Sequence, residues 1–129
     1  MPKKPSRKTI VNNLDRVFSE YIRRRYAKND IVECITCGKK GNYKGGDMHA
    51  GHFMSRKHYA TRWDEDNVQV QCKYCNTYRY GEQYLFAKHL GQEKADELLA
   101  KSRTMVKLKD WELLEMIEIY KEKLLELER

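Results

Sequence analysis

Ile10, Val11, Leu14, Val17, Phe18, Tyr21 and Ile22 recur at steps of three and four, the spacing that lines one face of a helix. This predicts an amphipathic helix from about Arg7 to Ala27, preceded by a flexible basic arm over 1–8 in which Pro2 and Pro5 oppose regular structure. The pattern then changes. Gly38 to Gly46 is rich in Gly, Lys and Asn and reads as a loop. Met48 to Met54 reads as a short strand, and Val68 and Val70 alternate with Gln69 and Gln71 as in a second strand. Ser55 to Asn67 is a polar connection between them. A helix is expected to start near Asn76, to be disturbed at Gly81 and to resume as far as Leu90, where Gly91 caps it. Gln92 to Ala100 predicts another short helix. Trp111, Leu114, Ile117, Tyr120, Leu124 and Leu127 form an apolar stripe on a last helix, Asp110 to Glu128, with Asp110 as its cap. That stripe suits packing on its own domain or pairing two copies in a homodimer.

The chain is thus read as α+β, with a domain over 9–100 that includes the first helix and a terminal helical segment over 101–129. A length of 129 residues suits a modest core. A hydrophobic content of 40% excludes wholesale disorder, and no apolar run approaches a membrane span. With no hydrophobic export segment at its start, the protein is expected to be soluble, with no membrane partner, in a reducing cytoplasmic compartment.

Four cysteines change the picture. They form two pairs, Cys34-x-x-Cys37 and Cys72-x-x-Cys75, separated by 34 residues. Two disulfides are conceivable, but duplicated Cys-x-x-Cys in a reducing compartment favours a shared tetrahedral metal site, and Zn²⁺ of the structural kind is its natural occupant. A metal cross-link also helps so polar a chain to fold.

The formal charge of +7 is unevenly spread. Residues 1–28 hold nine basic and two acidic residues, a balance of +7; residues 29–109 hold fourteen and ten, or +4; residues 110–129 hold three and seven, or −4. A polyanion is therefore drawn to the amino-terminal end and the cysteine region, which suits a nucleic-acid partner without requiring one, since many basic proteins bind no nucleic acid. The run Arg23-Arg24-Arg25 either caps the negative pole of the first helix or contacts phosphate.

Within the cysteine frame stand His49, His52, Asn67 and, directly after the last cysteine, Asn76. Cutting a phosphodiester requires an activated water, charge neutralisation at phosphorus and a stabilised leaving oxygen, which one histidine and one divalent cation can supply. His52 is the candidate base, since a neutral imidazole held in one tautomer takes a proton near neutral pH. Asn67 is placed to brace the loop that orients it. Asn76 can offer an amide oxygen to a hard cation, Mg²⁺ or Mn²⁺, with His49 or Asp47 as a second ligand. Each residue alone has an ordinary structural reading, as a turn, cap or strand residue; their joint order inside a metal frame is what favours chemistry.

That order, Cys-x-x-Cys, a strand histidine, an asparagine and Cys-x-x-Cys-Asn, resembles the ββα-metal or HNH nuclease motif in its zinc-stabilised form. More narrowly, Phe18-Ser19-Glu20-Tyr21-Ile22-Arg23, Ala50-Gly51-His52-Phe53-Met54-Ser55-Arg56, Ala60-Thr61-Arg62-Trp63-Asp64 and the stretch from Asn67 to Asn76 resemble the phage NinG/Rap recombination proteins, over about Leu14 to Leu90. The layout is also similar to phage endonuclease VII. The resemblance implies a small ββα-metal core flanked by helices, in a phage or prophage endonuclease that cuts four-way junctions and D-loops. It further implies zinc on Cys34, Cys37, Cys72 and Cys75, His52 as base, Asn76 on the catalytic cation and Asn67 as the middle asparagine of the motif. Arg56 and Arg62 match basic positions of the pattern and, with Lys57, are the implied phosphate contacts. One departure stands out. Where many HNH enzymes carry Asp or His directly before the base, this chain has Gly51, and a bulge there is one way to bring His49 to the metal. Three readings follow: a junction-resolving endonuclease, whose paired cuts need two sites; a general nicking enzyme on linear duplex; and a zinc module that binds DNA without cutting it.

Overall fold

A computed structural model describes residues 4–129. Residues 1–3 of the expected arm lie outside the described residues, and Arg7 and Lys8, at its other end, are already helical. Helix α1 (Arg7–Arg24) starts where Ser6, in extended backbone, accepts a hydrogen bond on its hydroxyl from the Thr9 N–H, which satisfies one of the free amides of the first turn. Its apolar face is the predicted one, with Ile10, Val11, Leu14, Val17, Phe18 and Ile22 buried.

After α1 comes a hairpin that the residue pattern did not announce. Strands β1 (Ile31–Glu33) and β2 (Lys40–Asn42) pair antiparallel, and β2 falls within Gly38 to Gly46, where a loop was expected. Each is three residues long, and Lys40-Gly41-Asn42 carries no apolar alternation. The hairpin is held from below, since Val32 and Tyr43 pack in one cluster with Met48, Cys34, Cys72 and Cys75.

Strands β3 (Met48–His52) and β4 (Val68–Cys72) form a second antiparallel pair whose register runs unbroken from Met48 opposite Cys72 to His52 opposite Val68. The polar connection between them contains a short helix α2 (Tyr59–Arg62), too brief to leave a periodic signal. A single π-helical turn (Tyr74–Tyr78) follows β4, then a break, then α3 (Gln83–Leu90) and α4 (Gln92–Ser102). The break matches the disturbance expected at Gly81, where Tyr80, Gly81 and Glu82 all take positive φ.

Helix α5 (Asp110–Leu127) returns to lie along α1. Leu113, Ile117 and Tyr120 enter the core that Leu14, Phe18, Trp63 and Val68 share, and the Phe18 and Tyr120 rings meet edge to face with centroids 4.9 Å apart. The buried face is thus rotated from the predicted stripe at its first turn. A step of four back from Ile117 reaches buried Leu113, whereas Leu114 and Trp111, a step of three and a further three, stay exposed. A third cluster, Phe53, Phe86, Ala95 and Leu98, fixes α3 and α4 against the chain leaving β3. The molecule is α+β, with helices around two small antiparallel sheets. No helix among the described residues is long and apolar enough to cross a membrane.

Candidate metal centre and active site

The two Cys-x-x-Cys turns converge. The four sulfurs of Cys34, Cys37, Cys72 and Cys75 lie within 4.8 Å of one another and none is disulfide-bonded. Cys34 and Cys37 come from the β1–β2 hairpin, Cys72 ends β4 and Cys75 sits in the π-helical turn. Burial pushes the Cys34 thiol up, but hydrogen bonds from the Thr36 hydroxyl and from the backbone around Cys72, Cys37 and Thr36 outweigh it and bring it down to about 6. Burial and the neighbouring sulfur groups push Cys75 up to about 12. Four thiols this close cannot all ionise unaided; one divalent ion removes the conflict, so the cluster can hold a structural ion such as zinc.

A cleft of about 700 Å³ opens beside this centre, with His52, Asn76, Arg56, Tyr80 and Asp15 in its walls. His52 ends β3, and its Nε2 lies 3.0 Å from the Arg62 carbonyl oxygen. A carbonyl only accepts, so Nε2 carries the proton and Nδ1 holds a lone pair. Nδ1 has no hydrogen-bond partner among the described residues. Burial lowers the His52 pKa below the ordinary imidazole value of 6.5 and nearby Arg56 adds to the effect, against the opposing pull of the Arg62 carbonyl and Asp15. The side chain is therefore a neutral base near neutral pH, fixed in one tautomer.

The Arg62 carbonyl is held in place by a clamp that sequence reasoning missed. Asp15 on α1 accepts from Arg62 Nε and Nη2 at 3.1 and 2.5 Å and from the Trp63 indole N–H at 2.9 Å. Asp15 reads in the sequence as one acidic residue on a helix surface; only the proximity of α1 to α2 reveals its task. Asn67 closes the same loop from the other side. Fully buried, it accepts from the Met54 N–H and donates to the Met54 and Thr61 carbonyls. Its side chain is not in the cleft wall, and its three hydrogen bonds are those of a loop brace.

His49 and Asn76 meet. Asn76 Nδ2 lies 3.0 Å from His49 Nδ1, and His49 Nε2 lies 3.1 Å from the Gly46 carbonyl. By the same logic, the His49 proton sits on Nε2 and its Nδ1 accepts from the amide. A half-turn of the amide replaces the donor with Oδ1 and sets two acceptors side by side, a nitrogen and oxygen pair able to hold a divalent cation. No bulge is needed. The strand pleat alone puts residues 49 and 51 on one face. Nor is there room for a side chain at 51: a Cβ on Gly51 would stand 2.0 Å from Gln71 Oε1. Asp47 precedes β3 and is exposed; neither it nor His49 lines the cleft itself, and it is His49 that reaches the cleft residue Asn76.

The expected phosphate contacts divide. Arg56 is exposed in the cleft wall, and Lys57 is exposed next to it in the chain. Arg62 is taken up by Asp15 and the Arg56 carbonyl. Arg25 is buried against the Glu65 and Val68 carbonyls and the Gln69 amide oxygen. Arg23 bonds Ser19 and the Tyr43 carbonyl, while Arg24 lies near Glu20 and Glu128. Helix-end cap and phosphate contact are the two tasks expected of the run; the structure gives Arg23, Arg24 and Arg25 partners within the chain itself, which tie the end of α1 to its surroundings.

A family model described as bacteriophage lambda NinG protein matches residues 3–129. No match was found among curated proteins or among solved structures. The match takes in the cysteine centre, the cleft and the α1–α5 core alike, and so the chain belongs to the bacteriophage lambda NinG family.

Proposed function

We propose that this protein is a metal-dependent endonuclease that hydrolyses a phosphodiester in branched DNA, such as a four-way junction or a D-loop. The observation that carries this reading is the state of His52, whose Nε2 is tied to a backbone carbonyl while Nδ1 keeps a lone pair in a cleft shared with Asn76. A merely structural histidine at the end of a strand has no need of an Asp15–Arg62 clamp and an Asn67 brace around its one hydrogen-bond acceptor.

In this reading, His52 Nδ1 takes a proton from water as the water oxygen bonds to phosphorus and the scissile phosphorus–oxygen bond breaks. His49 and Asn76 are the residues that would hold the divalent cation. When bound, that cation supplies charge neutralisation at the phosphate and stabilises the departing oxygen. Arg56 and Lys57 hold the backbone by charge. Paired cuts need two copies of the chain, and the apolar Trp111 and Leu114 left outward on α5 are the surface we assign to that pairing.

The test is cleavage of an end-labelled four-way junction beside a linear duplex of the same sequence, with and without Mg²⁺, with His52→Ala in parallel. Cutting of the junction alone, lost without the cation and reduced by roughly a hundredfold or more in the variant, is the expected result. Equal cutting of both substrates would point to a general nicking nuclease, and binding of the junction without cleavage to a zinc module.

A further inference from the structure

Within twelve residues after β4 stand four of the nine tyrosines of the chain, Tyr74, Tyr78, Tyr80 and Tyr84. All are exposed, at 56%, 64%, 89% and 78%. The other large apolar side chains of this region, Phe53 and Phe86, are buried in a core cluster. Among the described residues the hydroxyls of Tyr78, Tyr80 and Tyr84 have no hydrogen-bond partner, and that of Tyr74 has only the neighbouring Arg79 side chain. They serve no packing role in the fold, and so dense a group of rigid aromatic faces in water is the mark of a binding surface.

The arrangement is built. The π-helical turn sets Tyr74 and Tyr78 side by side, ring centroids 6.2 Å apart and tilted by 35°. The Arg79 guanidinium lies 6.0 Å from the Tyr74 centroid and is tethered to Glu82. Tyr80 then takes φ +54, followed by Gly81 at +85 and Glu82 at +49. A bulky residue in left-handed backbone is strained and persists only where its surroundings impose it. Here they do: the Gly81 N–H donates to the Cys75 carbonyl, and the Gly81 carbonyl accepts from the buried Gln71 amide. This reversal holds Tyr80 at the rim of the cleft that contains His52 and Asn76.

We infer that these tyrosines form a stacking platform for unpaired DNA bases next to the scissile phosphate. This rests on the nuclease reading and narrows its substrate, among branched DNAs, to those with unpaired bases, such as the displaced strand of a D-loop. In a duplex each base face is covered by its neighbours; only unpaired bases can lie on an aromatic ring, and they do so without regard to sequence. The charge around the platform fits a nucleic-acid strand. Lys73, Arg79 and Lys88 are exposed along it and Arg56 lines the same cleft as Tyr80, while Glu82, the one acid in this stretch, is paired with Arg79. An uncharged apolar partner would gain nothing from that basic rim.

The test is equilibrium binding by the zinc-loaded full chain, without added Mg²⁺ so that no cutting intervenes. The probes are a labelled duplex and the same duplex with a short unpaired tail carrying a fluorescent base analogue. The expected result is tighter binding of the tailed probe, with quenching of the analogue. Tyr80→Gly and Tyr84→Ala each weaken the tailed probe by about tenfold and leave the plain duplex unchanged, whereas Tyr80→Phe and Tyr84→Phe bind as the parent does. Tyr80→Gly, which relieves the positive φ, also raises the melting temperature. The inference is overturned if the parent binds both probes equally, if the losses fall equally on both, or if the Phe variants are as weak as the truncated ones. Tyrosine-dependent preference for the tail in a protein that cuts nothing would uphold the platform and remove the nuclease reading.

Discussion

His52 owes its proposed role to two hydrogen-bonding facts, a carbonyl that fixes the proton on Nε2 and a cleft that leaves Nδ1 open. Its lowered pKa gives a signed expectation. The base works only when neutral, so activity falls on the acid side as His52 takes up a proton; because the folded pKa is depressed, that fall lies below 6.5, the ordinary value, rather than at it. Arg56 contributes to the depression, and Arg56→Gln is expected to move the acid limb upward while weakening binding. A pH profile of kcat/KM for parent and variant checks both, and an acid limb that does not move would remove Arg56 from the electrostatics of the base. Gly51 is a second residue-scale case. Gln71, diagonally across the strand pair and two residues beyond Gln69, the register partner of Gly51, fills the volume a side chain at 51 would need. Gly51→Ala should therefore lower stability by about 1–3 kcal/mol in chemical denaturation, and by less in a Gln71→Ala background, where the space is already vacated. The sequence shows a glycine where related motifs carry a ligand; only the packed side chain across the strand explains it.

At the scale of elements, what could be read from the sequence follows the strength of each periodic signal. The long apolar face of α1 and the alternation in β4 were legible, and the cysteine spacing announced a cluster that the fold assembles. The β1–β2 hairpin was not legible, because its stability comes from Val32, Tyr43 and the cysteines beneath it rather than from any pattern in Lys40-Gly41-Asn42. Nor was α2, four residues long, whose shape is set by Asp15 from another helix. The arginine run illustrates the same limit: charge in a sequence does not say whether it faces solvent or, as with Arg25, a set of internal carbonyls. Helix α5 lies between these cases, predicted in extent and misjudged in face. Its docking on α1 is expected to depend on Leu113, fully buried, so that Leu113→Ala costs about 2–5 kcal/mol, whereas Leu114→Ala, one position along, changes stability by less than about 0.5 kcal/mol. Paired denaturation curves decide it, and equal losses would mean that the helix packs on the predicted stripe after all.

For the whole molecule, the cysteine centre and the α1–α5 core are separate supports, and the cleft depends on both. The centre holds the hairpin, the end of β4 and the turn bearing Asn76; the core holds Asp15 and, through it, the carbonyl that orients His52. Thr36 links the centre to the cleft, since its hydroxyl contacts both Cys34 Sγ and the Gln71 amide that pins Gly81. Removing a metal ion held by the four cysteines should therefore not unfold the chain uniformly. Most helix lies in α1 and in α3 to α5, whose buried contacts do not include the cysteines. After chelation, hydrogen exchange is expected to speed up first in 31–43 and 72–82, while the amides of α1 and α5 stay protected and far-ultraviolet dichroism falls little. Cleavage should fail together with the first group, because His49 and Asn76 meet across β3 and the released turn, while duplex affinity, carried by charge, persists. Lowering the pH should produce the same partial release without a chelator, since protons compete with the metal for the thiolates. Simultaneous loss of protection in α1 and the hairpin would show instead that the two supports form one cooperative unit, with the metal holding the whole fold.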